Sequence, residues 1–126
     1  MNYSELSKVV SGLADLKDQK YPVRVSLAVS KAHKTLSDLL QPYIDEEAKL
    51  LREYASFDKD GNIDQSENGG IVLKKGSEAE FNSKYAELIG EDIELPDVAS
   101  VDADELDKLD RFVAPAEIEA LMVVLR

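Results

Sequence analysis

Apolar residues set the rhythm of the N-terminal half. Leu6, Val9, Val10, Leu13 and Leu16 return at intervals of three and four, the spacing of one helix face. Asn2 and Glu5 stand before them at capping-box separation, so a first helix is predicted over about 3–18. Pro22 ends that stretch: it disfavours helical geometry at Tyr21 but is accepted in the first turn of a new helix. From there Val29, Leu36, Tyr43, Leu50 and Phe57 recur every seven residues, flanked by Val25, Ala32, Leu39, Leu40, Leu51 and Tyr54. The pattern predicts a helix over about 23–57, antiparallel to the first in a long hairpin. Such a helix would span about 50 Å, whereas a compact domain of this length has a radius of gyration of about 14 Å. An elongated shape or a partner chain follows as an expectation. Pro42 removes the bond to the carbonyl of Asp38, so a kink or break is expected there.

After Phe57 the period changes. Asp60-Gly61-Asn62 and Asn68-Gly69-Gly70 are turn signals, and Ile71-Val72-Leu73 is a short β-like run. Ser77 and Glu80 form a second capping-box pair ahead of Phe81, Tyr85, Leu88 and Ile89, with Gly90 as the stop. Ile93 and Leu95 alternate with acids as in a half-buried edge strand, which would pair with 71–73. A short helix is expected over 102–110, with Asp102 and Glu105 as its capping pair, and a last one from Pro115 through Ile118, Leu121, Met122 and Leu125. The residues display no internal repeat. The expected fold is therefore α+β and mostly α: a helical hairpin (1–57), a turn–strand–helix–strand segment with a small antiparallel β element (58–98) and short C-terminal helices (99–126), all in one domain.

Charge changes the picture in the second half. Residues 1–57 carry eight acids and eight bases, whereas 58–126 carry 18 acids and seven bases, so the whole net charge of −11 lies there. Between Glu87 and Asp110 ten carboxylates face one cation, Lys108. That distribution argues against direct nucleic-acid binding and against an anionic membrane surface, and leaves a basic protein as the electrostatically favoured partner. Glu91, Asp92, Glu94, Asp97, Asp102, Asp104 and Glu105 are the candidate acidic contact surface. The chain has no Cys, which removes disulfides and thiolate chemistry. Its polar start is not a signal peptide and no apolar run is long enough to span a bilayer, so a cytosolic protein is expected.

Catalytic and metal-binding patterns are weak. A calcium loop starting at Asp58 would use Asp60 and Asn62, but its sixth position is Ile63 rather than Gly and its twelfth is Gly69 rather than Glu. An Asp- and Asn-rich turn bonded to its own backbone accounts for these residues without a metal, and calcium binding stays a distant alternative. His33 is the lone histidine, with Val29, Ser30, Leu36 and Ser37 as its helix neighbours. No nucleophile elbow, phosphate loop or dinucleotide fingerprint occurs. No catalytic, cofactor-binding or metal-binding residue is therefore assigned. The seam residues Leu36, Leu40, Tyr43, Leu50 and Tyr54 are the candidate helix interface, for self-association or a partner helix.

The stretches YPVRVSLAVSKAHKTL, LLREYASFDKDGNID, EAEFNSKYAELIGEDIEL and AEIEALMVVL occur in that order. In this order the chain resembles a family of small proteins of unknown function encoded by tailed phages and prophages of Gram-positive bacteria. The resemblance implies a phage product working in the bacterial host cytoplasm, and it brings no catalytic residues with it. Two functions are expected from these readings together. One is a non-enzymatic accessory protein acting through protein–protein binding, in assembly or as an adaptor. The other is an acidic inhibitor that mimics phosphates toward a host defence or nucleic-acid-binding enzyme.

Overall fold

Helix α1 (Tyr3–Leu16) starts where its cap residue dictates: the Asn2 side chain accepts a hydrogen bond from the Glu5 N–H at 2.9 Å. This computed structural model describes residues 1–109, 111 and 113–125. After α1 come α2 (Val23–Tyr54), α3 (Glu78–Gly90), a 3₁₀ segment (Ala103–Lys108) and α4 (Pro115–Leu121), which opens on the proline that suits its first turn. Helix α2 runs unbroken through Pro42, so the proline does not end it. The chain divides into two compact units within this helix, one comprising Met1–Leu40 and Asp92–Arg126, the other Gln41–Glu91. The boundary between them falls beside Pro42.

The core of the first unit is aliphatic. Leu6, Leu13 and Leu16 of α1, Val25, Ala28, Val29, Ala32 and Leu36 of α2, and Leu121 and Val124 near the C-terminal end are all buried. Each large side chain sheltered this way contributes about 1.5–3 kcal/mol relative to exposure. The helix that comes closest to α1 is α4 rather than α2. Gly12 permits this approach, since a methyl at that position would meet the Ala120 Cβ at 3.3 Å.

The β element of the α+β reading is not formed; the described fold is helical, with isolated bridges only. Residues 91–97 contain no strand. Ile93 alone of this stretch turns inward, and its N–H bonds the Met1 carbonyl at 2.7 Å, while Leu95 is 42% exposed. Alternation over two apolar residues next to Pro96 is too short to hold a strand edge against solvent. Residues 71–73 do pair, but locally: Leu73 bridges Ala55, and Ile71 bridges Gln65. Closing short loops costs less chain entropy than recruiting a distant segment.

Local closure produces a regular order. The Ser56 N–H donates to the Val72 carbonyl (2.8 Å), Val72 N–H to the Asp64 carbonyl (3.0 Å), and Asp64 N–H to the Ser56 carbonyl (2.8 Å). Three positions spaced by eight thus close a ring of backbone bonds. Turn bonds from Gly61 to Asp58, Gly69 to Ser66 and Ser77 to Lys74 repeat at the same spacing. Gly61, Gly69 and Gly76 carry φ of 82°, 84° and 81°, which only glycine adopts without strain. The same period stands in the residue types, where Asp58 and Ser66, Asp60 and Asn68, Gly61 and Gly69, and Ile63 and Ile71 are each eight apart, so the segment holds a short internal repeat that the sequence reading does not find. It also ends α2 at Tyr54, leaving Phe57 outside the helix and 40% exposed.

Candidate interaction surfaces

In the second unit, aromatic packing fixes α3 on the later turns of α2. Tyr54 meets Phe81 edge-on at 6.2 Å, and Phe81 stacks on Tyr85 at 5.6 Å. The Tyr54 hydroxyl donates to Glu80 Oε1 at 2.9 Å, and the Tyr85 hydroxyl to Glu47 Oε2 at 3.3 Å. Burial, reinforced by the Glu47 carboxylate, holds the Tyr85 hydroxyl above the ordinary phenol range. Beside this stack lies an open groove of about 430 Å³. Pro42, Tyr43 and Leu50 of α2 and Leu88 of α3 give it apolar surface, while Glu46, Lys84, Glu87 and Glu91 supply its charged groups.

The five seam residues separate into two groups. Leu36, Leu40 and Tyr54 are buried at 1%, 4% and 5% exposure, so the fold itself covers them and a partner helix cannot reach them. Tyr43 and Leu50 are half-buried and line the groove. Periodicity located the stripe but not what covers it. The groove residues outside the candidate surfaces read from the sequence are Pro42, Glu46, Lys84, Glu87 and Leu88; spacing puts Leu88 on one face of α3, and only the packing reveals α2 as the facing wall.

The acidic residues are also divided. Glu91 belongs to the second unit, and Asp92, Glu94, Asp97, Asp102, Asp104 and Glu105 to the first. Glu91, Asp92, Glu94, Asp97, Asp102 and Asp104 are exposed, whereas Glu105 is half-buried and bonded to Lys108 at 2.9 Å. Asp92 pairs with the Met1 amino group at 3.1 Å. Asp102 and Glu105 share a hollow of about 270 Å³ with Arg24 and Lys31 of α2, so part of the acidic surface faces cations of its own unit. Asp102 makes no side-chain cap on the 3₁₀ segment, and Ser77 makes none on α3; the Ser77 hydroxyl donates instead to the Lys74 carbonyl at 2.5 Å. Neither side-chain cap beyond the first is therefore made, and at Ser77 the preceding turn takes the hydroxyl.

The remaining candidates for chemistry are occupied locally. Asp58 Oδ1 accepts from the N–H groups of Asp60 and Asn62 at 2.8 and 3.0 Å, the bonding of a self-contained Asx turn. His33 Nε2 lies 3.5 Å from the Ser37 hydroxyl one turn further along α2. Among the described residues no group of three or more His, Cys, Asp or Glu side chains has the placement to hold a metal ion. Among the described residues no helix is long and apolar enough to cross a membrane. No protein-family model, curated protein or solved structure matches the chain.

Proposed function

We propose that this chain is a non-enzymatic accessory protein of a tailed phage or prophage, working in the bacterial cytoplasm by binding another protein through the groove of its second unit. The observation that carries this reading is the groove itself. Tyr43 and Leu50 leave the buried seam there and stand with Leu88 around a cleft open to solvent. Open clefts with apolar walls and a charged rim are common docking features of proteins. Phage origin rests on the resemblance of the sequence stretches alone.

The test is site-specific photo-crosslinking from position 43 in phage-bearing cells, followed by mass spectrometry. Capture of a virion or assembly protein, lost in the Leu50→Asp variant, is the expected result. Absence of any crosslink that depends on Leu50 refutes groove-mediated binding. A second reading, the phosphate-mimicking inhibitor, is favoured by the exposure of Glu94, Asp97 and Asp104. It requires instead that neutralising Glu91, Asp92, Glu94, Asp97, Asp102 and Asp104 abolish a salt-sensitive complex with a nuclease, polymerase or defence enzyme, with Leu50→Asp harmless.

A further inference from the structure

We infer that the occupant of the groove is a basic amphipathic segment of a partner protein, which lays aliphatic side chains on Tyr43, Leu50 and Leu88 and sets a Lys or Arg at the C-terminal end of α3. The inference rests on the binding reading above and deepens it by naming the chemistry of the partner.

Charge decides the occupant. The second unit carries 12 acidic and six basic residues. Within the groove the one cation is already engaged: the Lys84 ammonium sits 5.3 Å from the Tyr54 ring centroid and 3.8 Å from Glu80. Glu46 has its own cation, Lys49, at 3.0 Å. Glu87 and Glu91 have no ion pair among the described residues.

Those two carboxylates sit where a helix least favours them. The last turn of α3 contains no basic residue, and the chain leaves it extended at Glu91 (φ −66°, ψ 127°) rather than in a left-handed closing turn. The final carbonyls of a helix carry the negative end of its dipole and attract cations. Here they add to Glu87 and Glu91, so two sources of negative potential converge beside an apolar cleft. A cation supplied from outside, tethered to aliphatic side chains that fill the cleft, satisfies both features together. A neutral or acidic segment satisfies only one.

The test is selection of a displayed library of random linear peptides on the whole chain, with fluorescence-anisotropy titration of the enriched peptides. Enrichment of peptides with aliphatic residues flanked by Lys or Arg is expected. Their affinity should fall about tenfold in Glu87→Gln/Glu91→Gln at about 50 mM salt, the difference shrinking toward nothing near 0.5 M, as for exposed ion pairs. Leu88→Lys should abolish binding. The glutamate pair is exposed, so its variant keeps the fold, with far-UV circular dichroism as the check on both.

Enriched peptides lacking basic residues, or affinity indifferent to Glu87 and Glu91, overturn the basic-segment inference while leaving a binding protein in place. Peptides insensitive to Leu88→Lys overturn the groove for both readings. No enrichment above a bare-support control overturns the inference. Concentration-dependent association of the chain with itself, removed by Leu88→Lys, assigns the groove to a second copy and overturns the partner segment.

Discussion

Replacing Pro42 by alanine perturbs the middle of α2 at a single point whose energetics separate cleanly. Pro42 is exposed, so its ring adds little burial to lose. In a helix interior proline is less favourable than alanine by about 3 kcal/mol, through the missing N–H and the clash with the preceding turn. Here the missing bond is the one to the carbonyl of Asp38, an exposed residue. Against the gain stands the freedom the unfolded chain recovers when proline is removed, about 0.4–1 kcal/mol. The balance is a stabilisation of about 2 kcal/mol, or roughly 8 °C at the usual entropy of unfolding for a chain of this size. Urea titration followed in parallel by far-UV circular dichroism and tyrosine fluorescence measures it, and coincidence of the two curves tests whether one free energy describes the transition. An unchanged or lowered midpoint refutes the reasoning. It would mean that packing around the Asp38 turn already offsets the cost of proline.

Three further outcomes follow from burial, backbone geometry and titration. Leu36→Ala, at a position 1% exposed, should cost about 2–5 kcal/mol in urea titration, whereas Leu50→Ala, at the half-open groove, should cost less than half as much; equal losses would contradict the division of the seam. Gly61→Ala and Gly69→Ala should each cost about 1–2 kcal/mol through the left-handed backbone alone, because nothing lies within 4 Å of either position, and Gly90→Ala, with no positive φ and open space, should not destabilise. The hydroxyl of Tyr85 titrates above the ordinary value of 10.0, so it holds its proton longer in the folded state than in the unfolded one. Its stabilising share is complete below pH about 10 and is lost as pH rises through the folded value, so the alkaline decline in melting temperature should be shallower in Tyr85→Phe than in the parent.

Helices were legible because period and punctuation agreed. The cap at Asn2, the break at Pro22 and the start at Pro115 fall where the residues put them. Their ends were less so: α2 stops at Tyr54 rather than 57, since Ala55 and Ser56 are drawn into bridges with Leu73 and Val72. The β element failed because alternation over Ile93 and Leu95 shows which side a residue would face, not whether a neighbouring strand exists to pair with it. The groove failed for a related reason. Tyr43 and Leu50 were in the stripe from the outset, but an apolar seam looks the same in sequence whether its own chain covers it, as at Leu36 and Leu40, or leaves it open. Carboxylate density likewise gave no hint that Glu91 and Asp92 belong to different units.

The ring of bonds joining Ser56, Asp64 and Val72 has a consequence for how this segment can be engineered. Each link is closed by the other two, so the three amides should open as one event and exchange with solvent at a common rate. The turns at Gly61 and Gly69 hang outside that ring in open space. A peptide tag or fluorophore loop inserted at either tip should cost the local turn bonds and leave the clasp between α2 and α3 shut.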